Sequence, residues 1–334
     1  MRILFFGSDK FSAVILSELY KNLSRPSSSP SVYPIKHLEV VTPSGRPPAG
    51  IHPPPSFNPV LHYSNKHNLK YHFWDKKETR KMILSKKYFD IGVVAAFGYY
   101  IPSEMIDSFP NGIINMHGSL IPKLRGAAPI ENAILDGETT TGLTIMEISK
   151  GKFDHGRVLS QETIKIPRNM TSNELRLHMA EIGRNLLMDT LANLDYKKQN
   201  PISIDEKLSS KAPKINNSTG KIDFNKCKCQ QLHNMQRALN DRSGVWCKSG
   251  SKRVKLYNII SPLDSSIVSR LQVAFPGAEL GSVCYIKENS LLGLKLVDGW
   301  AGIGDLHIEY RTKISAFEFH KNYLINSTFV RKFS

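Results

Sequence analysis

Short apolar segments constrain the fold of this chain more than any other feature of its sequence. Apolar residues follow one another without alternation in RILFFG at residues 2–7, in IGVVAAFG at residues 91–98 and in GIINMH at residues 112–117. Such continuous runs are typical of strands that are buried on both faces of a parallel sheet. Apolar residues at helical spacing follow the first run, beyond a Gly7-Ser8 turn. The pattern predicts an α/β fold with a doubly wound, mostly parallel sheet.

Further elements of the same kind continue to about residue 190. The sequence predicts strands in HLEVVT (37–42), LKYHFW (69–74), GLTIMEI (142–148) and QETIKI (161–166), and helices in ETRKMILSKK (78–87), IPSEMIDSF (101–109), APIENAILDG (128–137) and TSNELRLHMAEIGRNLLMDTLANL (171–194). The last helix opens with a capping box formed by Thr171 and Glu174. Pro and Gly predict a long loop in PSGRPPAGIHPPPSFNP, residues 43–59. Since no GxGxxG motif follows the first strand, we expect no dinucleotide cofactor.

The last third of the chain has a different character. Residues 191–214 are polar and interrupted by proline, which predicts a linker between a first domain at residues 1–190 and a second at residues 215–334. Short strand-like segments separated by turn residues follow: GKIDF (220–224), SGVW (243–246), KRVKLYNII (252–260), GSVCYI (281–286) and LLGLKLVDGWAGI (291–303). This spacing predicts a smaller β-barrel or sandwich.

Charge and composition indicate a class of partner. The chain of 334 residues has a formal net charge of +16. Residues 1–200 carry +7, from 25 basic and 18 acidic residues, and the last 134 carry +9, from 20 basic and 11 acidic residues. A spread excess of this size favours a polyanion, with nucleic acid ahead of a membrane surface, although some proteins are simply basic. No apolar run reaches the roughly 18 residues that a membrane-spanning helix requires.

Cysteine usage and the start of the chain bear on compartment and metal binding. Cys227, Cys229, Cys247 and Cys284 are too few and too clustered for a secreted disulfide scaffold, so we expect a reducing compartment. Their spacing does not match a zinc site either, so we expect no metal. The first strand begins at Arg2, which leaves no room for a targeting segment: either the protein stays where it is made or such a segment is missing from this sequence.

The polar residues at the end of the GIINMH strand are the first candidates for catalysis. Asn115 and His117 are two positions apart, so their side chains lie on one face of the strand, at the carboxyl edge where open α/β sheets bind ligands. An amide donor beside an imidazole suits a reaction in which a carbonyl oxygen gains negative charge. The next residues, Gly118-Ser119-Leu120-Ile121-Pro122, predict a stiff apolar wall for a flat heterocycle. A strand-end pair satisfied by nearby backbone remains the alternative.

A candidate carboxylate lies further along the chain, in Phe153-Asp154-His155-Gly156. An aspartate there can hydrogen-bond an imidazole and favour its protonated form while an oxyanion develops. An ordinary Asx turn is the alternative, and sequence spacing alone does not place Asp154 beside His117.

These motifs resemble the formyltransferase family that uses 10-formyltetrahydrofolate. The resemblance rests on INMHGSLIPKLRGAAPIENAILDGETTTGLTIMEI followed by FDHG, and it extends to FFGSDKFS, VVAAFGYYIP, AEIGRNLLMDTL, APKINNSTGKIDF and SAFEFHKNYL. Because both parts of the chain take part, the sequence resembles the branch that formylates methionyl-tRNA for translation initiation. Phe153, QETIKIP and VDGWAGI make it most similar to the mitochondrial members, which implies the mitochondrial matrix.

The resemblance also implies roles for individual residues. Asn115, His117 and Asp154 match the family's catalytic residues, and Ser119, Leu120, Ile121 and Pro122 match its folate-binding turn, with the backbone of residues 94–98 lining the pterin pocket. The implied reaction is attack of the methionyl α-amine on the formyl carbon of 10-formyltetrahydrofolate, without a metal. An α/β catalytic domain and a barrel resembling an OB-fold are implied, and we expect a monomer.

Candidate tRNA contacts come from two regions. In the family, an insertion loop after the second strand engages the acceptor end, typically with two arginines; here Arg46 is present, but Ile51 stands where the second arginine is expected, and an inert Pro-rich linker is the alternative. His52 is a further candidate in this loop. Lys252 and Arg253 belong to a basic strand that suits phosphate contacts, although a solvated strand face is the alternative. Lys123 and Arg125, beside the folate-binding turn, could meet tRNA or the folate glutamate tail.

Other functions remain open at this point. Another 10-formyltetrahydrofolate-dependent enzyme, acting on phosphoribosyl-glycinamide or hydrolysing the folate, is one; the basic β-rich second part argues against stand-alone glycinamide transferases. A catalytically decayed RNA-binding relative is the other, and it predicts loss of a catalytic residue, whereas all three are present.

Overall fold

The structure, a computed structural model, describes residues 1–23, 34–44, 58–75, 77–86, 88–324 and 331–334. These residues divide into two compact units. The first comprises Met1–Ala133, Thr139–Arg168 and Asn173–Lys214, and the second comprises Ile134–Glu138, Asn169–Ser172 and Ile215–Ser334.

The chain up to residue 214 alternates between strands and helices. Its strands are β1 (Arg2–Gly7), β2 (His37–Thr42), β3 (Tyr71–Phe73), β4 (Ile91–Ala95), β5 (Ile113–His117), β6 (Arg125–Gly126), β7 (Thr140–Glu147), β8 (Val158–Lys165) and β9 (Lys211–Ala212). Its helices are α1 (Lys10–Leu23), α2 (Pro59–Lys66), α3 (Lys77–Lys86), α4 (Ser103–Ile106), α5 (Pro129–Leu135), α6 (Ser172–Ala192) and α7 (Leu194–Gln199). A turn of 3₁₀ helix spans Glu206–Leu208.

The main sheet of the first unit confirms the predicted mostly parallel α/β arrangement. Within the described residues its strands lie in the order β3-β2-β1-β4-β5-β7-β8. The strands from β3 to β5 are parallel to one another, and β7 and β8 add an antiparallel edge. After β1 the chain first builds one side of the sheet and then crosses to β4 on the other. Ligands of such sheets bind at this switch point, outside the carboxyl ends of the strands.

Aromatic packing fixes one face of this sheet. The Phe6 side chain is fully buried and makes edge-to-face contacts with Trp74, Phe97 and Phe109, at ring-centroid distances of 6.2, 5.4 and 6.5 Å. Each such pair contributes roughly 0.5–1.5 kcal/mol beyond the burial of its area. Because Phe97 lies two residues after the end of β4, this cluster anchors the carboxyl end of that strand.

Two segments of the first unit have more regular structure than the sequence predicted. Helix α2 begins at Pro59, at the end of the predicted long loop, and the Asn58 side chain caps it by accepting hydrogen bonds from the amides of Val60 and Leu61. Asparagine followed by proline favours the start of a helix. The sequence analysis did not predict this helix because the many prolines before Asn58 indicated a loop. Residues 191–214, for which the sequence predicted a linker, contain α7, the 3₁₀ turn and β9, and β9 pairs with β6 of the first unit.

The second unit is built on an antiparallel sheet. Its strands are β10 (Val245–Ser249), β11 (Lys252–Ile260), β12 (Ser282–Ile286), β13 (Leu291–Leu296), β14 (Gly299–Ile308), β15 (Lys313–Ser315) and β16 (Arg331–Lys332). Among the described residues they follow the order β10-β11-β14-β13-β12-β16, and β15 pairs with β14. Leucine, isoleucine and valine side chains dominate the core of this unit. The predicted strands are therefore confirmed, except that GKIDF contributes only a bridge between Lys221 and Trp246.

Helices of the second unit were not predicted. They are α8 (Cys229–Leu239), α9 (Ser265–Ala274) and α10 (Ala316–Tyr323). Helix α10 carries a complete capping box, in which Ser315 and Glu318 bond reciprocally to each other's backbone amides, and Ala316 and Phe319 are buried. None of the helices in the described part of the chain combines the length and the hydrophobicity that a membrane-spanning segment needs.

Candidate active site

His117 ends β5 with its imidazole buried at the carboxyl edge of the sheet. Its side chain is 6% exposed, and Nε2 donates a hydrogen bond to the carbonyl oxygen of Leu124 at 3.0 Å. A carbonyl can only accept, so Nε2 carries a proton and Nδ1 is the ring nitrogen left for other partners. Asn115 is half-buried two residues earlier, and the strand's alternation puts its side chain on the same face.

The structure places Asp154 beside that second ring nitrogen. The loop between β7 and β8 brings Asp154 Oδ1 to 3.7 Å from His117 Nδ1, and the carboxylate side chain is 14% exposed. This distance is longer than a direct hydrogen bond, so the carboxylate faces the ring nitrogen without bonding to it. With Nε2 bonded to a backbone carbonyl, Nδ1 is the ring nitrogen that faces the carboxylate and remains for a hydrogen bond to a ligand.

Neighbouring backbone groups hold Asp154 in place. Asp154 has a left-handed backbone conformation, with φ of 55°, which costs a non-glycine residue on the order of 1 kcal/mol. Its carboxylate Oδ2 accepts a hydrogen bond from the Gly126 amide at 3.0 Å, and its carbonyl oxygen accepts one from Arg125 Nε at 2.6 Å. Together these bonds fix the side chain and the main chain of Asp154.

Two glycines permit this arrangement. A Cβ on Gly156 would lie 1.5 Å from the carbonyl oxygen of Glu147, so only glycine fits two residues after Asp154. A Cβ on Gly126, where φ is 130°, would lie 2.5 Å from the carbonyl oxygen of Ala212. The close approach of β6 and β9 therefore depends on glycine at the position whose amide binds the carboxylate.

The turn at residues 119–122 is rigid because its polar groups bond within the protein. Ser119 is 1% exposed, and its hydroxyl donates to the Lys123 carbonyl oxygen at 2.6 Å. Thr144 donates to the Ser119 carbonyl oxygen and accepts from the Ile121 amide, while Gln161 donates to the Ile121 carbonyl oxygen. Ile121 and Pro122 are buried and Leu120 is half-buried. The turn can thus offer a ligand an apolar wall but not the Ser119 hydroxyl.

The carboxyl end of β4 presents exposed backbone. Ala96 and Gly98 are exposed and both have positive φ, of 43° and 78°. The Ser8 hydroxyl donates to the Ala96 carbonyl oxygen at 2.8 Å, which ties this segment to the turn after β1. Adjacent polar backbone groups at a strand end suit recognition of the edge of a flat heterocycle.

Arg125 does not lie where its sequence context suggested. Its side chain is 6% exposed, and its guanidinium donates to both carboxylate oxygens of Glu206, at 2.7 and 3.0 Å, and to the Ser209 hydroxyl at 2.9 Å. The guanidinium is therefore not available to phosphates or to a glutamate tail, whereas Lys123 remains exposed. Sequence reasoning missed Glu206, Thr144 and Gln161, since nothing local marks a residue whose partner is distant along the chain.

The candidate tRNA-binding residues of the second unit lie on one hairpin. Lys252 and Arg253 begin β11, and Arg253 is paired with Lys248 of β10. The Arg253 guanidinium stacks over the Trp246 ring, 4.1 Å from its centroid. Consecutive strand residues point to opposite faces, so Lys252 and Arg253 project in different directions from the hairpin end. Arg46, Ile51 and His52 lie outside the described residues, as does most of the loop at 43–56.

The environment of the four cysteines does not favour a role as nucleophiles or metal ligands. All four are free and buried, and burial raises the pKa of the Cys227 thiol to about 11 and that of the Cys229 thiol to about 12. A thiol that stays protonated is a poor nucleophile and a poor metal ligand. Across the described residues, no group of three or more His, Cys, Asp or Glu side chains is arranged to hold a metal ion.

Both parts of the chain match known protein families. Residues 1–191 match the family described as "Formyl transferase", and residues 214–324 match "Formyl transferase, C-terminal domain". The mitochondrial methionyl-tRNA formyltransferase of Homo sapiens is 30% identical over 97% of this chain and 78% of its own length. The methionyl-tRNA formyltransferase of Caldicellulosiruptor saccharolyticus is 30% identical over 97% of this chain and 98% of its own length. Mitochondrial and bacterial relatives are thus similarly close.

Solved structures share the fold at lower identity. HypX from Aquifex aeolicus superposes with a TM-score of 0.61 at 16% identity, over 97% of this chain and 48% of its own. The N-formyltransferase from Helicobacter canadensis superposes with a TM-score of 0.58 at 17% identity, over 91% of this chain and 98% of its own. The family match covers more than half of the chain, and relatives at 30% identity extend over nearly all of it. The chain therefore belongs to the formyl transferase family of enzymes.

Proposed function

We propose that this enzyme transfers the formyl group of 10-formyltetrahydrofolate to the α-amine of methionine on initiator tRNA, for translation initiation. The observation that carries the proposal is the placement of Asp154 beside Nδ1 of His117, with Asn115 on the same strand face. Acyl transfer to an amine requires a hydrogen-bond donor for the developing oxyanion, here Asn115, and a general acid–base group, here His117 beside Asp154.

The proposed reaction divides the work between these side chains. The methionyl nitrogen forms a bond to the formyl carbon, whose carbonyl electrons move onto oxygen and give a tetrahedral oxyanion. Asn115 and the protonated imidazole of His117 donate hydrogen bonds to that oxyanion, and Asp154 stabilises the imidazolium. The oxyanion then collapses, the bond from carbon to N10 of the folate breaks, and N10 gains a proton in exchange for the one that the amine loses.

Formyl transferases take their formyl group from formyl-tetrahydrofolate, and the residues present fit that co-substrate. We assign its binding to Ser119, Leu120, Ile121 and Pro122 together with the backbone of residues 94–98. Supporting this assignment, the turn is stiff and presents Leu120, and the end of β4 exposes polar backbone at Ala96 and Gly98. Ser119 takes part by holding the turn rather than by contacting the ligand with its hydroxyl, which is already bonded to Lys123.

Recognition of tRNA falls mainly to the second domain in this proposal. We assign residues 1–190 to the catalytic domain, 191–214 to the linker and 215–334 to an OB-like barrel that binds tRNA. Lys252 and Arg253 contact the tRNA backbone, and Arg46 engages the acceptor end from the first domain. The exposed hairpin end and the net charge of +9 over the last 134 residues support this assignment. The enzyme acts as a monomer in the mitochondrial matrix.

The proposed function is tested by comparing the rates at which the enzyme formylates different acceptors. Purified protein is incubated with 10-formyltetrahydrofolate and, separately, methionyl-initiator tRNA, glycinamide ribonucleotide, an amino-sugar nucleotide or water. The proposal expects N-formylmethionyl-tRNA at a kcat/KM at least about a hundredfold above that for any other acceptor, equivalent to about 2.7 kcal/mol of discrimination. Faster formylation of another acceptor, or hydrolysis alone, would refute it.

A further inference from the structure

Arg125 connects the candidate catalytic aspartate to a segment of chain some eighty residues further on. Its Nε donates to the Asp154 carbonyl oxygen, while Nη1 and Nη2 donate to the two carboxylate oxygens of Glu206 and Nη1 also donates to Ser209. One guanidinium thus fixes the left-handed backbone of Asp154 on one side and a turn of 3₁₀ helix on the other. A planar fork with this bond pattern is specific to arginine.

The residues after Glu206 also form hydrogen bonds with Leu124, Arg125 and Gly126. The Leu124 amide donates to the Ser210 hydroxyl at 2.9 Å, and the Arg125 amide donates to the Ser210 carbonyl oxygen at 2.9 Å. β6 then pairs with β9 at Arg125–Lys211 and Gly126–Ala212. Residues 206–212, which we call the bracing segment, therefore set the position of residues 124–126.

Residues 124–126 in turn hold both partners of the candidate catalytic pair. Leu124 accepts the hydrogen bond from His117 Nε2, and Gly126 donates to Asp154 Oδ2. The orientation of imidazole and carboxylate toward each other thus depends on one tripeptide that the bracing segment fixes. Catalytic groups act only when surrounding residues hold them in the productive geometry, so such residues affect activity without touching substrate.

We propose that Arg125 and Glu206 are positioning residues, and that the bracing segment is part of the active site because it fixes Asp154 against His117. The inference rests on the proposed function, since it assigns Asp154 a role in formyl transfer. Electrostatics supports it: the hydrogen bond from Arg125 lowers the pKa of Glu206, so the carboxylate is charged and the ion pair is intact at neutral pH. Glu206 itself is largely exposed and far too distant in sequence to be found by motif.

The kinetic test combines variants at three positions. Arg125→Lys keeps the charge but cannot bond to Asp154 and Glu206 together, so kcat should fall about ten- to a hundredfold while KM for both substrates changes less than about threefold. Glu206→Gln, at an exposed position where folding is little affected, should reduce kcat roughly three- to tenfold. In an Asp154→Asn background, Arg125→Lys should cost no more than about twofold, because the group that it positions is already lost.

A matched control and a second readout complete the test. Arg184→Lys alters an ion pair between half-buried Arg184 and exposed Glu181 on α6, and it should leave kcat unchanged. Hydrogen exchange measured on peptides that cover Gly126, whose amide donates to Asp154 Oδ2, should accelerate in Arg125→Lys and in Glu206→Gln, and also in Asp154→Asn. This readout does not need activity, so it tests the inference even if methionyl-tRNA proves not to be the acceptor. Additive kinetic losses in the Asp154→Asn background, or unchanged exchange at Gly126, would overturn the inference.

Discussion

Asp154 Oδ1 and His117 Nδ1 lie 3.7 Å apart, although β6, α5 and β7 separate the two residues along the chain. His117 Nε2 donates a hydrogen bond to the Leu124 carbonyl oxygen, and Asp154 Oδ2 accepts one from the Gly126 amide. Each side chain therefore directs its one remaining atom at the other. In the proposed mechanism the imidazole donates a hydrogen bond to the oxyanion, and the carboxylate stabilises the charge on the ring.

Removal of the imidazole tests its chemical role. His117→Ala should reduce kcat by a hundredfold or more, the upper part of general acid–base effects, with little loss of tRNA affinity because the ring is buried. Initial rates and filter binding of tRNA measure the two quantities. His178→Ala, at an exposed position on α6, is the control and should match the wild type. An unchanged kcat in His117→Ala would remove the imidazole from the mechanism.

A methyl group added at Gly156 should disturb Asp154 through the backbone. In Gly156→Ala the new Cβ would meet the carbonyl oxygen of Glu147 at 1.5 Å, so the loop must shift. We expect the free energy of unfolding to fall by roughly 1–3 kcal/mol and kcat to fall more than tenfold. Chemical denaturation and initial rates check this. Gly277→Ala, whose Cβ would meet no atom within 4 Å, serves as control; equal behaviour of the two variants would contradict the steric argument.

Charge reversal at the hairpin end tests the proposed tRNA surface. Lys252→Glu combined with Arg253→Glu should weaken tRNA binding and reduce the slope of log K against log salt by about two, one for each lost phosphate contact. Lys226→Glu, at another exposed lysine of the second unit, should change the slope little. Titrations at several salt concentrations measure the slopes. Were the double variant to keep the wild-type slope, the contact surface would lie elsewhere.

Glu39 provides a prediction on pH and stability that is independent of function. Burial alone would raise the pKa of this carboxyl, but hydrogen bonds from His72, Lys70 and His37 outweigh it and lower the pKa from 4.5 to about 2. A lowered folded-state pKa stabilises the protein above pH 4.5, and this contribution disappears as the pH falls toward 2. Allowing for screening at the exposed Lys70, it is on the order of 2 kcal/mol at neutral pH.

Denaturation of Glu39→Gln measures this contribution directly. The variant should be less stable than the wild type at pH 7, and the difference should shrink progressively below pH 4.5. Glu104→Gln, at an exposed position of α4, should show no such convergence. A stability difference in Glu39→Gln that is constant with pH would show that the ionised carboxylate is not the source.

The sequence predicts those parts of the structure that depend on local pattern. The continuous apolar runs at residues 2–7 and 91–98 predict buried parallel strands, and β1 and β4 confirm them. Alternation with period two likewise places Asn115 and His117 on one face. By contrast, helix α8 was missed although Leu232, Met235 and Leu239 recur at helical spacing, because the surrounding polar residues and short strands drew attention away from this signal.

Relationships across long stretches of chain lie beyond such patterns. The ion pair between Arg125 and Glu206 joins β6 to a stretch whose composition is that of a linker, and the pairing of β6 with β9 helps to bring the two together. The sequence around Arg125 therefore predicts an exposed cation that could bind tRNA or the folate glutamate tail, whereas the side chain is buried. Its partners, like those of Thr144, are set by topology rather than by neighbouring residues.

A double-mutant cycle between His117 and Asp154 tests most directly whether the carboxylate acts through the imidazole. Single-turnover formylation of methionyl-initiator tRNA is compared for the wild type, His117→Ala, Asp154→Asn and the double variant. If the carboxylate acts through the imidazole, the double variant should be no slower than His117→Ala within about threefold, because residues that act as a unit are strongly non-additive. Rate losses that multiply in the double variant, or an Asp154→Asn protein as fast as the wild type, would contradict the account.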